Sequence, residues 1–508
     1  MSHEKTSYGQ ILKSSSIMGG AAGITLILGM IRTKFAAVLI GMSGVGMLAG
    51  FSAVQGFISV IAGLGIQSSA VRDIAAAAGE DNPEAIGRLV LTLRRLCWLT
   101  GLAGMLMMMA LSPLLSQLTF NSNKYTLDIA ALGIIVLLVN LSGGQQALLQ
   151  GLRRIGDMAR ASIAGALVST ISAISFYEWL GLRGIVPSLL CIAAVQLGIS
   201  WFYARRVLVP QVLLTWRDTW QKAGSMVRLG LVFMWSSLLV SAVSYLTIVL
   251  ITREADLQAV GMYSAAFALS GMFVNFVLGA MGADYYPRLT AAASDKAAMN
   301  KLVNEQTDIG LLLAIPGLMA TLVLAPWVIQ TFYSEEFLGA VALLQWFVLG
   351  CLGRVISWPL GFVVLALGKG RWFLLTETLA NVAHLLLVAA GLQLFGVEGV
   401  AVAFFVLYTG YFAGMLLLCR RLTGFSWSRG CRKTFSQTLP FMCVSFFICR
   451  ALPAVPASLL GLMLCAVASI ICLRELVGRI GTEHRIVRTL ASLPGISLIL
   501  PTLRTDSP

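Results

Sequence analysis

Apolar runs of about 20 residues recur along this chain from end to end, and they constrain its fold more than any other feature. In lipid, every backbone polar group must be satisfied internally, so an isolated run of this kind crosses a bilayer as an α-helix. Of the 508 residues, 58% are apolar and only 11% are charged. Too little polar material remains to cover a soluble body. The sequence therefore predicts an all-α polytopic membrane protein.

The apolar runs also predict how many times the chain crosses the membrane. We count about 14 spans, of which the last two are the shortest. They lie near 14–31, 44–70, 89–111, 127–150, 160–180, 184–204, 225–251, 259–283, 306–332, 340–366, 373–393, 398–419, 435–450 and 457–473.

The basic residues predict the orientation of these spans. With a cytoplasmic amino terminus, 29 of the 36 Lys and Arg residues fall on the cytoplasmic side, six fall outside, and Arg354 lies within a span. Cytoplasmic loops of membrane proteins carry such an excess. Both termini are therefore predicted to be cytoplasmic. The net charge of +14 is explained by the basic residues of the cytoplasmic loops. It therefore does not indicate a nucleic-acid partner, and we predict none.

An internal repeat divides the chain. Val45-Gly46-Met47 recurs as Val260-Gly261-Met262, an offset that spans six helices and so preserves membrane orientation. Parallel repeats of this kind are typical of transporters, whose substrate site lies between two lobes. The sequence predicts the following organisation: an N-lobe at 1–206, a C-lobe at 207–420, two extra spans at 421–473 and a cytoplasmic tail at 474–508.

Four basic residues lie in or beside the spans. Arg32 and Lys34 are predicted to end the first span, Arg253 ends the seventh, and Arg354 lies inside the tenth. Intramembrane charges are costly and normally face protein or water, so together these four predict a cationic cavity suited to phosphate. Snorkelling to the outer interface is the alternative for the first three. For Arg354 the alternative is a buried pair with a carboxylate.

The eleventh span carries Glu377, Asn381 and His384 at i, i+4 and i+7, on one helical face. Such a face could bind or relay a proton, or help to hold a cation. The alternative is a hydrogen-bonded seam between helices. Further polar faces are more typical of packing seams than of ligand sites; they consist of Ser237, Ser241 and Ser244, and of Gln145 and Gln146.

Metal, cofactor and enzyme signatures are missing from the sequence. The three histidines (3, 384 and 484) are far apart, and the nine cysteines form no Cys-x-x-Cys pair. No phosphate loop is present, because Gly361 to Lys369 has the wrong spacing. We predict no metal, no cofactor and no enzymatic activity.

Several segments resemble the Wzx-type O-antigen and polysaccharide flippases. That family lies within the multidrug/oligosaccharidyl-lipid/polysaccharide exporter (MOP) superfamily, together with the MATE multidrug exporters and the lipid II flippases. The matching segments are Leu28 to Phe35, Gly41 to Gly46, Ala62 to Ile66, Tyr285 to Leu289, and Ala366 to Phe373 with the following Glu377.

The resemblance implies a two-lobed, MATE-like bundle in the bacterial inner membrane. Such a protein moves an undecaprenyl-diphosphate-linked oligosaccharide, such as an O-antigen unit of lipopolysaccharide, from the cytoplasmic to the periplasmic leaflet by alternating access. It implies coupling to an H⁺ or Na⁺ gradient, and partners that include membrane lipid and polysaccharide polymerase or assembly proteins. Members of this family carry basic residues at the positions of Lys34, Arg253 and Arg354 and an acidic residue at that of Glu377, so the resemblance implies functional roles for these four. Arg32 matches the family less consistently.

Two other functions are weighed against this one. A multidrug or metabolite cation antiporter of the same fold would need intramembrane acids, which are scarce here. A polysaccharide polymerase or ligase would need a large outer loop, and every predicted outer loop is short. The family commonly has twelve spans, so the two extra spans are a departure from its pattern.

Overall fold

The computed structural model describes residues 2–80, 82–210 and 212–480, and within them every regular element is a helix, which confirms the predicted all-α class. Three short 3₁₀ helices accompany the α-helices, at Asn123–Tyr125, Gly181–Gly184 and Glu335–Ala340. The α-helices are α1 (Ser2–Gly63), α2 (Ile66–Gly79), α3 (Pro83–Phe120), α4 (Thr126–Gly151), α5 (Ile155–Leu180), α6 (Ile185–Ala204), α7 (Trp216–Glu254), α8 (Leu257–Ala291), α9 (Lys296–Val323), α10 (Ala325–Phe332), α11 (Val341–Ala366), α12 (Gly370–Phe395), α13 (Glu398–Thr423), α14 (Arg429–Ala451) and α15 (Ala454–Ile480).

The chain is a multi-pass membrane protein. In its described residues, 11 helical segments are long and apolar enough to cross a bilayer. Two of them, Ile17–Gly63 and Ile155–Ala204, are 47 and 50 residues long, and each overlaps two of the predicted spans. Helix α14 is not among the 11, because polar residues are spread along its 23 residues, from Arg429 near its start to Arg450 near its end. The count of fourteen spans stays a prediction.

The helix that holds the first predicted span continues beyond the predicted end of that span. Helix α1 runs on past residue 31 and is interrupted only at Gly41, where φ is 65° and ψ is −173°. Only glycine adopts such a conformation without strain. Arg32 and Lys34 therefore lie inside the helix, Arg32 about 13 Å before the kink at 1.5 Å per residue. The membrane boundary near these two residues stays a prediction.

Polar residues begin several of the long helices. The Asn82 side chain accepts a hydrogen bond from the Ala85 amide at the start of α3, and Asp295 does the same at the start of α9. Thr215 and Asp218 form a reciprocal capping box at the start of α7. These caps satisfy amides that have no partner within the helix.

The chain packs as two compact units. The first comprises the residues up to Ser264 together with Thr331–Phe337, and the second comprises Ala265–Gln330 and the described residues from Leu338 onward. Helix α7 packs against α1, α2 and α3 and so belongs to the first unit. The two units are defined by contacts between residues in the structure, whereas the predicted lobe boundary at residue 206 is defined by the internal repeat in the sequence. Their buried cores contain Ile66, Ile74 and Leu93 in the first unit and Leu289 and Val364 in the second.

Within the first unit, the two glycines matched in the repeat lie at one helix crossing. A Cβ on Gly46 would come within 1.9 Å of the Leu257 carbonyl oxygen, and a Cβ on Gly261 would come within 2.3 Å of the Met42 carbonyl oxygen. Residues 42 and 257 are separated by the same offset as the glycines, so the contact is reciprocal. This is the symmetry that a repeat predicts at a shared axis.

Alanine at either of these glycines should destabilise the protein. We expect Gly46→Ala and Gly261→Ala to cost about 1–3 kcal/mol, because the backbones must separate to admit a methyl group. Thermal unfolding in detergent measures this loss. Gly56→Ala in α1 and Gly279→Ala in α8 are the matched controls, since their added Cβ would meet nothing within 4 Å. Equal melting temperatures for all four variants would contradict the close approach.

Polar contacts join α14 and α15 to the other helices of the second unit, at both ends of α14 and at the carboxyl end of α15. Buried Asp308 of α9 accepts a hydrogen bond from Thr434 at 3.1 Å and pairs with Arg479. At the opposite end of α14, Arg450 pairs with Glu398 of α13. Helix α15 continues to Ile480, into the first residues of the predicted tail. The remaining tail, including the short apolar patch at 496–500 and His484, lies outside the described residues.

Candidate functional site

The predicted site residues are divided between the two units. Arg32, Lys34 and Arg253 lie in the first unit, whereas Arg354 lies in the second unit with the polar face of α12. Each group is described by itself below. Convergence of the four basic residues on one cavity stays a prediction.

Arg32 and Lys34 have different neighbours because they are two residues apart on a helix and point in nearly opposite directions. The Lys34 ammonium donates a hydrogen bond to the backbone carbonyl of Tyr333, in the loop between α10 and α11. Arg32 lies within electrostatic range of Tyr177, a buried residue of α5. Both basic side chains are half-buried. Because the two side chains leave α1 in nearly opposite directions, they cannot both contact one small anion.

Arg253 lies in the last turn of α7 and is exposed. A cation at this end of a helix is favourable to the helix dipole. Tyr245, two turns earlier, is within electrostatic range of Arg253, and its hydroxyl is 3.0 Å from the Thr119 hydroxyl. The Tyr245 ring also stacks on Phe57 of α1, with ring centroids 5.5 Å apart. Arg253 thus extends from a well-packed part of α7.

Arg354 lies near the middle of α11 and is half-buried. The preceding residue, Gly353, allows α11 to approach α13 closely, since a Cβ there would be 3.1 Å from the Tyr408 Cβ. This approach brings Tyr408 within electrostatic range of both the Arg354 guanidinium and the Glu377 carboxylate. In the described part of the chain, no carboxylate lies within the 4.0 Å salt-bridge distance of Arg354.

Glu377 of α12 lies near the neighbouring helix. Its carboxylate is within electrostatic range of the Tyr411 hydroxyl of α13. This proximity of the two helices fits the packing-seam alternative, and it does not exclude a role in ion binding.

Asn381 and His384 do not bond directly to the Glu377 carboxylate. The Asn381 amide donates to the backbone carbonyl of Glu377 at 2.8 Å. His384 lies about 10 Å further along the helix axis. Its ring packs near Phe404 of α13, with ring centroids 6.1 Å apart. Any proton path from Glu377 to His384 would need water between them.

Sequence reasoning missed Tyr408 and Tyr411. Three residues apart on α13, they present their hydroxyl groups on one side of the helix, toward Arg354 and Glu377. Two tyrosines at i and i+3 in an apolar span are the signal that could have identified them. We refer to Arg354, Glu377, Tyr408 and Tyr411 as the charged cluster of the second unit.

The first unit contains a hydroxyl-lined cavity of about 540 Å³ between α1 and α7. Its polar lining includes Ser52 of α1 and Ser237, Ser241 and Ser244 of α7, and Gly56 leaves space beside them. The last three serines were interpreted as a packing seam, but Ser237 and Ser244 are exposed rather than packed. Exposed hydroxyls at this depth of a span normally face water or protein instead of lipid. We call this space the serine cavity.

The hydroxyls of the serine cavity are mainly available as acceptors. Ser237 and Ser244 donate to the carbonyls of Phe233 and Val240 at 3.3 and 3.0 Å, one turn earlier on α7. Each oxygen therefore keeps its lone pairs directed away from its own helix. Neutral groups that carry donors, such as sugar hydroxyls, suit this surface.

The glutamine face does form a packing seam, because Gln145 of α4 accepts a hydrogen bond from Ser200 of α6. Among the described residues, no group of three or more His, Cys, Asp or Glu side chains could hold a metal ion. The cysteines are all unpaired thiols.

Comparison with known proteins relates these features to a family. Residues 37–342 match a family model described as "Polysaccharide biosynthesis protein". The chain is similar to the lipid III flippase of Escherichia coli (strain K12), at 23% identity over 410 residues, covering 77% of this chain and 95% of the flippase. The lipid III flippase of Shigella flexneri gives the same values.

Solved structures show the same fold. One is an inward-facing MATE multidrug transporter of the MOP superfamily, with a TM-score of 0.67 at 14% identity, covering 79% of this chain and 94% of that chain. Another is the lipid II flippase MurJ in an inward closed conformation, with a TM-score of 0.65 at 14% identity, covering 91% and 98% respectively. The predicted MATE-like fold is confirmed by these similarities.

Proposed function

This chain is a member of the polysaccharide biosynthesis protein family, and on that premise we propose that it is a flippase for an undecaprenyl-diphosphate-linked oligosaccharide. The family match covers residues 37–342, and the curated relatives are lipid III flippases. The relatives and fold neighbours named above are transporters, so the chain is a transporter and not an enzyme. An O-antigen or related polysaccharide unit is the substrate we propose.

The observation that carries the proposal is Arg354, a half-buried guanidinium in the middle of a membrane span without a carboxylate at salt-bridge distance in the described chain. A charge there is costly unless it serves a ligand or a partner. A diphosphate supplies the matching charge, and guanidinium binds phosphate oxygens bidentately. We propose that Arg354, Arg253 and Lys34 bind the diphosphate, while Arg32, beside Tyr177, contributes positive potential.

The serine cavity suits the uncharged part of the same substrate. Sugar hydroxyls can donate to the Ser237 and Ser244 oxygens, whose own protons are already used within α7. The apolar polyprenyl tail can remain in the lipid while the diphosphate and the glycan cross the membrane, so the protein does not need to bury it. We propose transfer from the cytoplasmic to the periplasmic leaflet of a bacterial inner membrane, with both termini cytoplasmic.

Transport in one direction requires an energy source that favours one conformation over the other. We propose that Glu377 responds to an H⁺ or Na⁺ gradient, with Asn381 and His384 on the same helical face. A cation antiporter is the second candidate, favoured by the carboxylate of Glu377 within a membrane span and by the nearby Tyr411 hydroxyl. We propose polysaccharide polymerase or assembly proteins as its protein partners.

A leaflet assay tests the proposed function. The purified protein is placed in proteoliposomes that hold lipid-diphosphate-linked oligosaccharide in one leaflet, and the glycan exposed on the other leaflet is measured. Protein-dependent exposure supports the flippase. If the lipid-linked sugar does not move but a small organic cation crosses in response to an ion gradient, the antiporter is the correct function.

The serine cavity makes a separate prediction. In a chain without its native cysteines, we expect Ser237→Cys and Ser244→Cys to react with a membrane-impermeant thiol reagent, because the cavity is aqueous. Val243→Cys and Val249→Cys, buried positions on α7, are the controls and should not react. Lipid-linked oligosaccharide should protect the first pair. Labelling without protection would show that the glycan does not occupy this cavity. Absence of labelling would show that the cavity contains no water.

A further inference from the structure

A second groove in the first unit lies between α3, α4 and α6 and has a volume of about 610 Å³. Along α4 it extends from Leu138 to Leu148, a rise of about 15 Å. This is half of the roughly 30 Å hydrocarbon core of a bilayer. The groove therefore spans one leaflet. Its outer end lies at Arg94 of α3 and at Arg205, which directly follows α6, on the side predicted to be cytoplasmic.

We propose that this groove binds one anionic phospholipid of the cytoplasmic leaflet, with acyl chains in the groove and its phosphate between Arg94 and Arg205. The site is separate from the charged cluster and from the serine cavity, and it does not depend on the proposed transport function.

The walls of the groove suit acyl chains. Leu93, Leu141 and Leu197 line it from the three helices. Gly198 lacks a side chain exactly where one would project into open space, since a Cβ there would meet nothing within 4 Å. Gln145 is the polar side chain in the lining between the two ends, and its carbonyl oxygen is bonded to Ser200. Apart from this amide and the Cys97 thiol, the lining between the two ends is apolar.

The two arginines supply the charge that distinguishes an anionic headgroup from a neutral one. Both are exposed, and neither forms a salt bridge within the described residues. Each has a tryptophan one turn deeper on the same helix, Trp98 for Arg94 and Trp201 for Arg205. The Arg205 guanidinium stacks 4.6 Å above the centroid of the Trp201 ring. Tryptophan is typical of the headgroup level, and basic pockets between spans at this level bind anionic headgroups.

Snorkelling alone would explain one arginine, but it does not explain two from different helices at the mouth of a single apolar groove. The transported polyprenyl substrate fits less well. Its chain is several times longer than one leaflet is thick, whereas this groove ends near Leu138 and Ala194. A phospholipid with acyl chains one leaflet long matches both the length and the charge.

Native mass spectrometry of the purified full chain tests the proposal. The protein is incubated with phosphatidylglycerol, cardiolipin, phosphatidylethanolamine or undecaprenyl phosphate in mild detergent, and the lipid adducts are counted. We expect the wild type to retain the two anionic lipids in preference to phosphatidylethanolamine. The double variant Arg94→Gln with Arg205→Gln should retain them at least tenfold less, because each arginine contributes about fivefold near an anionic headgroup.

Two further variants make the result specific. Arg206→Gln removes the same charge from the adjacent residue, which stacks on Phe202 and lies outside the groove, and it should bind like wild type. Gly198→Leu keeps both arginines but fills the groove, and it should lose the lipid. Thermal unfolding and size-exclusion profiles identify any variant that fails to fold.

Three outcomes would overturn the proposal. Equal loss in Arg206→Gln and in the double variant would indicate general attraction to a basic surface. Wild-type retention in both the double variant and Gly198→Leu would place the lipid elsewhere. Retention of undecaprenyl phosphate in place of phospholipid, abolished by the same variants, would assign the groove to the transported substrate.

Discussion

Arg354→Gln should lower protein-dependent movement of lipid-diphosphate-linked oligosaccharide by about 10- to 150-fold in the leaflet assay. The physical reason is the loss of a hydrogen bond to a charged group, which contributes about 1.5–3 kcal/mol. Glutamine keeps a hydrogen-bond donor, but it loses the positive charge that offsets the free-energy cost of removing a diphosphate from water. Arg354→Lys keeps the charge and loses the planar fork, so its transport should fall between that of the wild type and that of Arg354→Gln.

The control for this prediction is Arg420→Gln, an exposed basic residue in the last turn of α13 in the same unit. It removes equal charge outside the span and should transport like wild type. Membrane levels and melting temperature must be normal in Arg354→Gln for the result to report on binding. Normal transport in a well-folded Arg354→Gln protein would refute the cationic site, and Arg354 would then be a residue of helix packing.

Glu377→Gln should abolish the dependence of transport on a pH or sodium gradient while leaving movement without a gradient. Glutamine has nearly the shape of glutamate and can still face Tyr411, but it neither ionises nor binds a cation strongly. The packing between α12 and α13 is therefore kept and the coupling chemistry is lost. The measurement is glycan transfer in proteoliposomes with imposed H⁺ or Na⁺ gradients, compared with transfer in their absence.

Tyr411→Phe is the reciprocal variant. It removes the hydroxyl that faces Glu377 but leaves the carboxylate able to ionise, so the gradient response should persist. If Glu377→Gln and the wild type respond alike to both gradients, Glu377 has no role in coupling. Glu377 would then serve only the packing of α12 against α13, as the packing-seam alternative predicts.

Several features of the protein follow from local sequence. Each long apolar run that we predicted overlaps a helix, because a chain in lipid must satisfy its backbone within one segment. The position of Arg354 in the middle of its span is also local, since α11 has nearly equal lengths on either side. The family follows from short motifs, and the matched residues 37–342 agree with it.

Other features come from contacts between residues that are distant in sequence. The pattern places Arg32 and Lys34 at the end of the first span, but it does not predict that Lys34 donates to Tyr333, about 300 positions later. Tyr411 gained its importance only from its contact with Glu377.

The sequence by itself thus determined the helical class, the approximate spans and the family, since hydropathy acts on each segment separately. The tertiary structure decided which helix faces meet. The serines of α7 line a cavity rather than a seam, and the approach of Gly353 to Tyr408 assembles the charged cluster of the second unit. Helix periodicity specifies which residues share a face, but only packing between helices determines whether that face meets protein, lipid or water.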